Sequence, residues 1–553
     1  VALFDSTSPV PSSVTRSMNF CILMWQMESI VRKLAVRPQR SILVLGLVLL
    51  LVGNWILPIT DRDEARFAEA SREMLQRGDY VVPWFNGQYR FDKPVLIYWC
   101  QSACYRLLGA NGFAARLPSV FFTTATALLL VGWGRKEADG LTGFIAGAMF
   151  IMGAHVAVIG RIATADMAMV FFYTLAVWSG FEAAKKEDGM SEVRGRSSGS
   201  SQKWWRMIFY GALGLGFLAK GPVAWLPFSG IVLARIMRPD SFRLPWVATI
   251  GGLLFTVVIV ASWGIPALVQ THGQFWAVGI GEHVIHRSIG VNDSHGLKGT
   301  GSFVLELPLY FLTFIVSFLP WTIRKPEAFE PWFQRQEQRG VTWRCVVFIL
   351  WVLSWPLHYP IKIWRWWPER RRDDLGRYLL MQSLIVFVVF SLVRTKLPHY
   401  TMPAFPCLAL WLALQLRSEA NSVAWFGRRF VAVAVIIPIV MLTLAISAKS
   451  HTVTERLWQA VRSDVRPETK VGCFGYVEPS LVWKFRGIIT NTVVLGDEAV
   501  ANDFLTNQPP FILVLPTQDI ASLPDTKGLR IEVRGLDMVR FRERDLTAIV
   551  RTR

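Results

Sequence analysis

Apolar runs of about 16–22 residues recur along this chain, with short charged loops between them, and each run is long enough to cross a bilayer core as a helix. The pattern predicts spans at 41–58, 117–134, 141–159, 165–183, 206–219, 222–238, 245–268, 303–323, 378–394, 398–416 and 430–448. Arg135 and Lys136, the stretch 184–206, Arg235 to Arg243 and Arg417 to Arg429 then fall on one side, which positive-inside bias makes cytoplasmic. The loops 59–116, 160–165, 269–302 and 395–398 fall on the other side. Val346 to Ile361 is apolar but carries Pro356 and Pro360 and runs into Arg370, Arg371 and Arg372. It reads as a re-entrant or interfacial piece with Trp364, Trp366 and Trp367 at headgroup level.

The ends of the chain differ from its middle. Residues 1–40 read as an unfolded cytoplasmic tail, in which Met18 and Met27 are alternative starts. Arg32, Lys33, Arg37 and Arg40 hold that end inside, and the first apolar run lacks a cleavage site and reads as an anchor. Beyond residue 450, short β-rich runs at 471–476, 511–516 and 529–535 alternate with helical stretches such as PSLVWKFRG. Residues 450–553 therefore form a small α/β domain, extracytoplasmic by parity, after a transmembrane domain over 41–449. The expected fold is a polytopic α-helical membrane protein of about 11–13 transmembrane helices, with interfacial helices in the first outer loop.

Composition agrees with this reading. The 553 residues are 52% hydrophobic, and 24 Trp and 36 Phe suit two interfacial belts better than one core. The net charge of +19 sits in short loops, which positive-inside orientation explains without nucleic acid. Six scattered cysteines, with no CxxC, suggest neither a disulfide framework nor a zinc ribbon, although Cys100 and Cys104 would share a helix face.

The densest chemistry follows the first span. Asp61, Arg62, Asp63, Glu64 and Arg66 lie at the membrane edge, where charge is costly unless water or a partner receives it. The next residues predict an amphipathic helix lying on the membrane, with Phe67, Ala70, Ser71 and Met74 on one face and Arg66, Glu69 and Glu73 on the other. Thr60 and Asp63 fit a capping box, so Asp63 is open to a structural reading as well as a catalytic one. Turn signals at Gly78–Asp79 and Asn86–Gly87 lead to Asp92, Lys93 and Pro94, where a second interfacial helix begins. Lys93 reads as a snorkelling anchor or as a partner for a phosphate. Arg161 and Asp166 open a later span, Lys220 lies between two spans, and GIGEHVIHRS offers Glu282, His283, His286 and Arg287. RTKLPHYTMPAFP adds Arg394, Lys396, His399 and Tyr400. These basic groups thread to the outer face, where few are expected, and their excess suggests an anionic ligand such as a lipid phosphate.

DRDEARFAEASREMLQRGDYVVPWFNGQYRFDKPVLIYW resembles the first outer loop of the aminoarabinose transferases, relatives of the protein O-mannosyltransferases within the GT-C class of membrane glycosyltransferases. FAARLPS, GRIATADMAMVFF, LAKGPVA, EHV and KLPHYTMPAFP extend the resemblance over about residues 41–416, and 324–377 and the C-terminal domain match less well. The resemblance implies transfer of a sugar from a polyprenyl-phosphate carrier to an envelope lipid, glycan or protein at the outer face of the inner membrane. It makes Asp63 the catalytic acid, with Glu64 and Arg66 beside it and Asp166 as a second acid of the cavity. It places Lys93 on the carrier phosphate, with Arg287, Lys396 and Tyr400 as companions. Asp92 and His283 fall where the family holds zinc, but Asp92 stands where Glu is expected and shortens that arm. A transporter or flippase of lipid-linked sugars is the alternative, and it would not need a carboxylate beside the transferred group.

Overall fold

The computed structural model describes residues 26–59, 62–186, 198–286, 309–322, 374–393, 396–417, 422–497, 501–502, 504–506, 510–523 and 528–552. Helices α1 (Gln26–Ala35) and α2 (Pro38–Leu51) meet at a 107° bend. The expectation of an unfolded tail over 1–40 is therefore corrected over 26–35. Val31 is fully buried there, Met27 packs on Gly427, and Glu28 and Arg32 pair at 2.8 Å one turn apart. That stretch has both an apolar contact and an i,i+4 tie to hold it helical.

The first loop contains α3 (Arg62–Arg77), a hairpin of β1 (Trp84–Phe85) and β2 (Gln88–Tyr89), and α4 (Leu96–Leu108). The bundle continues with α5 (Gly112–Glu137), α6 (Gly140–Ile151), α7 (Ala154–Ile159), α8 (Asp166–Ala184), α9 (Ser198–Lys220), α10 (Leu226–Met237) and α11 (Trp246–Gln270). It is completed by α12 (Leu309–Ser317), α13 (Asp374–Leu392), α14 (Phe405–Leu416) and α15 (Ser422–His451). Among the described residues α5, α8, α11, α13 and α15 are each long and apolar enough to cross a membrane, and α1 with α2 adds a bent sixth. The chain is a multi-pass membrane protein.

Several expected spans are broken. The run 141–159 divides at Gly153 into α6 and α7, and 222–238 and 398–416 begin as 3-10 turns at Pro222 and Pro398 before α10 and α14. Proline removes a backbone donor, so such breaks persist only where protein surrounds them. Residues 198–206, expected in a loop, are the first turns of α9. The span expected at 303–323 is described only from 309 onward, and the segment 346–372 lies outside the described residues. The bundle core is built around Trp133, Phe144, Phe150, Tyr173 and Phe405, while α11 and α15 turn most of their apolar surface outward.

The C-terminal domain contains α16 (Val453–Val461), β3 (Lys470–Phe474), α17 (Pro479–Phe485), β4 (Val494–Gly496), β5 (Phe511–Pro516), β6 (Leu529–Asp537) and β7 (Arg542–Arg551). Its sheet runs β4-β3-β5-β7-β6, with β3 parallel to β4 and β5, and β7 antiparallel to β5 and β6. All six residues of β5 are buried, which fits its continuous apolar sequence and central place. β7 escaped the sequence reading because only its second half is apolar.

Candidate active site

The interfacial helix α3 is far more enclosed than its sequence predicts. Glu64, Ala65 and the unbroken run from Phe67 to Met74 are all buried. On one side α4 meets it through polar contacts: Ser71 donates to Gln101 at 2.6 Å, Ser102 to the Ser71 carbonyl at 3.1 Å, and Tyr105 to the Ala68 carbonyl at 3.1 Å. The expected polar face of Glu69 and Glu73 does not meet water. The C-terminal domain covers it, and Arg486 lies 3.7 Å from Glu69 and 3.5 Å from Glu73. Arg72 donates to the Trp483 carbonyl at 2.9 Å, packs over that indole at 4.3 Å, and pairs with Glu69. Burial pushes the Glu69 carboxyl up to about 8 against the pull of Arg72, with Glu73 adding to the rise.

Asp63 and Glu64 separate sharply. Glu64 accepts from Arg116 Nε at 2.7 Å and Nη2 at 2.8 Å, and from the Ala163 backbone N–H at 3.0 Å. Arg116 is fully buried and also donates to the Asn54, Leu57 and Pro58 carbonyls. Glu64 thereby ties α3 to α5 and to the Ala163 backbone, and Arg116 carries the link on to the end of the first span. The Asp63 side chain is 58% exposed and lies 3.6 Å from Arg66, itself partly exposed. Thr60, the expected cap, lies outside the described residues.

The hairpin delivers the second basic arm. Asn86 and Gly87 both adopt positive φ, 53° and 79°, in the turn that the Asn-Gly pair predicts. Asp92 pairs with Arg90 at 3.0 Å, and Arg90 donates to the buried Tyr98 hydroxyl at 3.1 Å. Burial opposes the Arg90 charge, but Tyr98 and Asp92 hold its pKa above the ordinary value, while burial pushes Tyr98 up to about 12. Lys93 follows, half-buried, at the bend before α4. The guanidinium on Asp92 opposes a metal ion there, and no group of three or more His, Cys, Asp or Glu suited to a metal occurs among the described residues. The His283 side chain and Arg287 lie outside them.

A third group gathers at one end of the bundle. Asp166, first residue of α8, pairs with Lys220 at the end of α9 and lies 3.7 Å from His399. Lys220 Nζ sits 5.2 Å from the Tyr400 ring, which also contacts His399 and Phe390. The turn-lysine reading of Lys220 is thus replaced by a buried pair that sequence spacing could not reveal across 54 residues. Arg161 does not serve Asp166: it donates to the Ala157, Val52 and Leu49 carbonyls. Lys396 is buried and donates to the Phe390 and Ser391 carbonyls near the end of α13, 5.5 Å from the Tyr310 ring. A cation at a helix C-terminus is favoured there by the exposed carbonyls.

A family model described as dolichyl-phosphate-mannose-protein mannosyltransferase matches residues 92–263. An uncharacterized protein of Aquifex aeolicus is 26% identical over 387 residues, covering 70% of this chain and 75% of its own length. The undecaprenyl phosphate-alpha-4-amino-4-deoxy-L-arabinose arabinosyl transferase of Edwardsiella ictaluri is 27% identical over 378 residues. That match spans 66% of this chain and 58% of the transferase, somewhat more than half of it. Among solved structures, ArnT from Cupriavidus metallidurans bound to undecaprenyl phosphate aligns with a TM-score of 0.65 at 16% identity, over 92% of this chain and 97% of that one. The last likeness is one of fold.

Proposed function

Because the chain belongs to the GT-C family of membrane glycosyltransferases, we propose that it transfers a sugar from a polyprenyl-phosphate carrier to an envelope lipid, glycan or protein. Asp63 takes the proton from the acceptor's hydroxyl or amine. That atom attacks the anomeric carbon as the carbon–oxygen bond to the carrier phosphate breaks, and the bonding pair leaves with the phosphate oxygen, inverting the centre. Lys93, with Arg66, Arg287 and Tyr400, receives the phosphate charge that develops. Asp166 holds Lys220 beside Tyr400, a supporting part in place of direct chemistry. In this reading the chain spans the inner membrane with its N-terminus in the cytoplasm and with the site and C-terminal domain on the extracytoplasmic face.

The observation that carries this reading is the exposure of Asp63 beside Glu64, whose oxygens meet Arg116 and the Ala163 N–H. A general base needs an accessible carboxylate beside the reacting group. The test supplies purified protein with labelled polyprenyl-phosphate sugars and membrane-extract acceptors. Asp63→Asn should lower transfer by about 100-fold or more with its melting temperature unchanged. Full transfer by that variant would sink the assignment, and lipid moved without sugar consumed would favour a transporter.

A further inference from the structure

We propose that the C-terminal domain is a positioning element of this site, fixing the start of α3, which carries Asp63, relative to the hairpin that leads to Lys93. The inference rests on the transfer reading above. Two separate arms make the connection. At the first, Arg62, the residue before Asp63, donates from Nε and Nη2 to the two Glu478 oxygens at 3.1 and 3.0 Å. Glu478 is nearly buried and stands immediately before α17, so its backbone is set by the domain's own core. A bidentate guanidinium–carboxylate pair fixes orientation as well as distance.

At the second arm, the Asn86 side chain donates to the Val493 carbonyl at 2.8 Å and accepts the Val493 N–H at 2.9 Å. The amide imitates a strand partner for the residue that precedes β4. The approach is close: a Cβ at Gly87 would lie 2.6 Å from Thr492 Cγ2. Glu73 of α3 accepts the Asn86 and Gly87 N–H groups at 2.7 and 3.2 Å, and Arg486 faces Glu73 from the domain. Helix, hairpin and domain thus close a triangle. The domain does not itself reach the reacting atoms; it acts through the two elements that do. Displacement of a catalytic group by about 1 Å costs on the order of 100-fold in rate, so such a frame is of direct use to transfer.

The two arms make separable predictions. Glu478→Arg should lower kcat about 10- to 100-fold with the donor KM unchanged, because it disturbs the Asp63 end. Asn86→Ala should raise the donor KM more than it lowers kcat, because it loosens the Lys93 end. The Arg62→Glu/Glu478→Arg exchange should restore most of the rate lost in Glu478→Arg. If the domain only stabilises the fold, both single variants will lower the melting temperature while folded protein keeps wild-type kcat and KM, and the inference is overturned. Failure of the exchange to restore rate also overturns it. Asp63→Asn measured alongside separates the two readings. If it stays active, the transfer assignment fails. If it is inactive while Glu478→Arg and Asn86→Ala behave as wild type, only the positioning role fails.

Discussion

Asp63 and Glu64 are neighbours of one chemical type in the first turn of α3, and their surroundings give them opposite work. A helix turns about 100° per residue, so adjacent side chains leave it in different directions. Glu64 points into protein, meets Arg116 bidentately and takes a backbone donor as well. Asp63 points away, remains largely exposed, and meets Arg66 at 3.6 Å. The buried acid holds the helix; the exposed one is held by it. A reactive group gains precision when the element beneath it is fixed by other residues, and here that fixing begins one residue away.

The comparison breaks most visibly at the buried pair. Arg116→Ala leaves Glu64 enclosed without its cation and should cost about 3–5 kcal/mol, read as a lower melting temperature in detergent. Asp63→Asn should leave that temperature unchanged while removing transfer, the reverse pattern. A smaller effect belongs to Glu69, which shares α3 with both. Its pKa in the folded protein, about 8, exceeds the ordinary 4.5, so its stabilising contribution is full below 4.5 and is lost as pH rises through 8. Melting temperatures taken from pH 6 to 9 should therefore fall less steeply for Glu69→Gln than for wild type. Arg72, Glu73, Arg486 and Tyr105 face the same carboxyl and are unchanged in that variant. The smallest effect is expected for Arg66→Ala. An exposed pair of this kind contributes less than about 1 kcal/mol, and the melting temperature should stay within error of wild type.

Much of the architecture could be read from local pattern. The apolar runs mark the bundle, the Asn86–Gly87 pair marks its turn, and FILVLP marks the central strand of the C-terminal sheet. What local pattern could not supply were contacts between distant charges. Glu64 and Arg116 lie 52 residues apart, so the first acid pair looked uniform until their partners were known. The polar face of α3 suggested water or headgroups because Arg486 and Trp483 lie more than 400 residues along the chain. Charge and place in a loop likewise do not reveal that a helix end meets Lys396 or that Arg90 meets Asp92. Lys220, His399 and Tyr400, far apart along the chain, do meet around Asp166.

The Arg62–Glu478 pair also sets an order of events during synthesis. Its two members are 416 residues apart, so at roughly 5–20 residues per second the ribosome adds Glu478 some tens of seconds after Arg62. Through that interval α3 has been made, but the surface that receives Glu69 and Glu73 has not. A ribosome that stops before Glu478 releases a chain with most of its spans inserted and the loop that holds α3 still unclamped. The domain that carries Glu478 thus closes a loop made long before it, and a product truncated ahead of it is denied the geometry of the finished one.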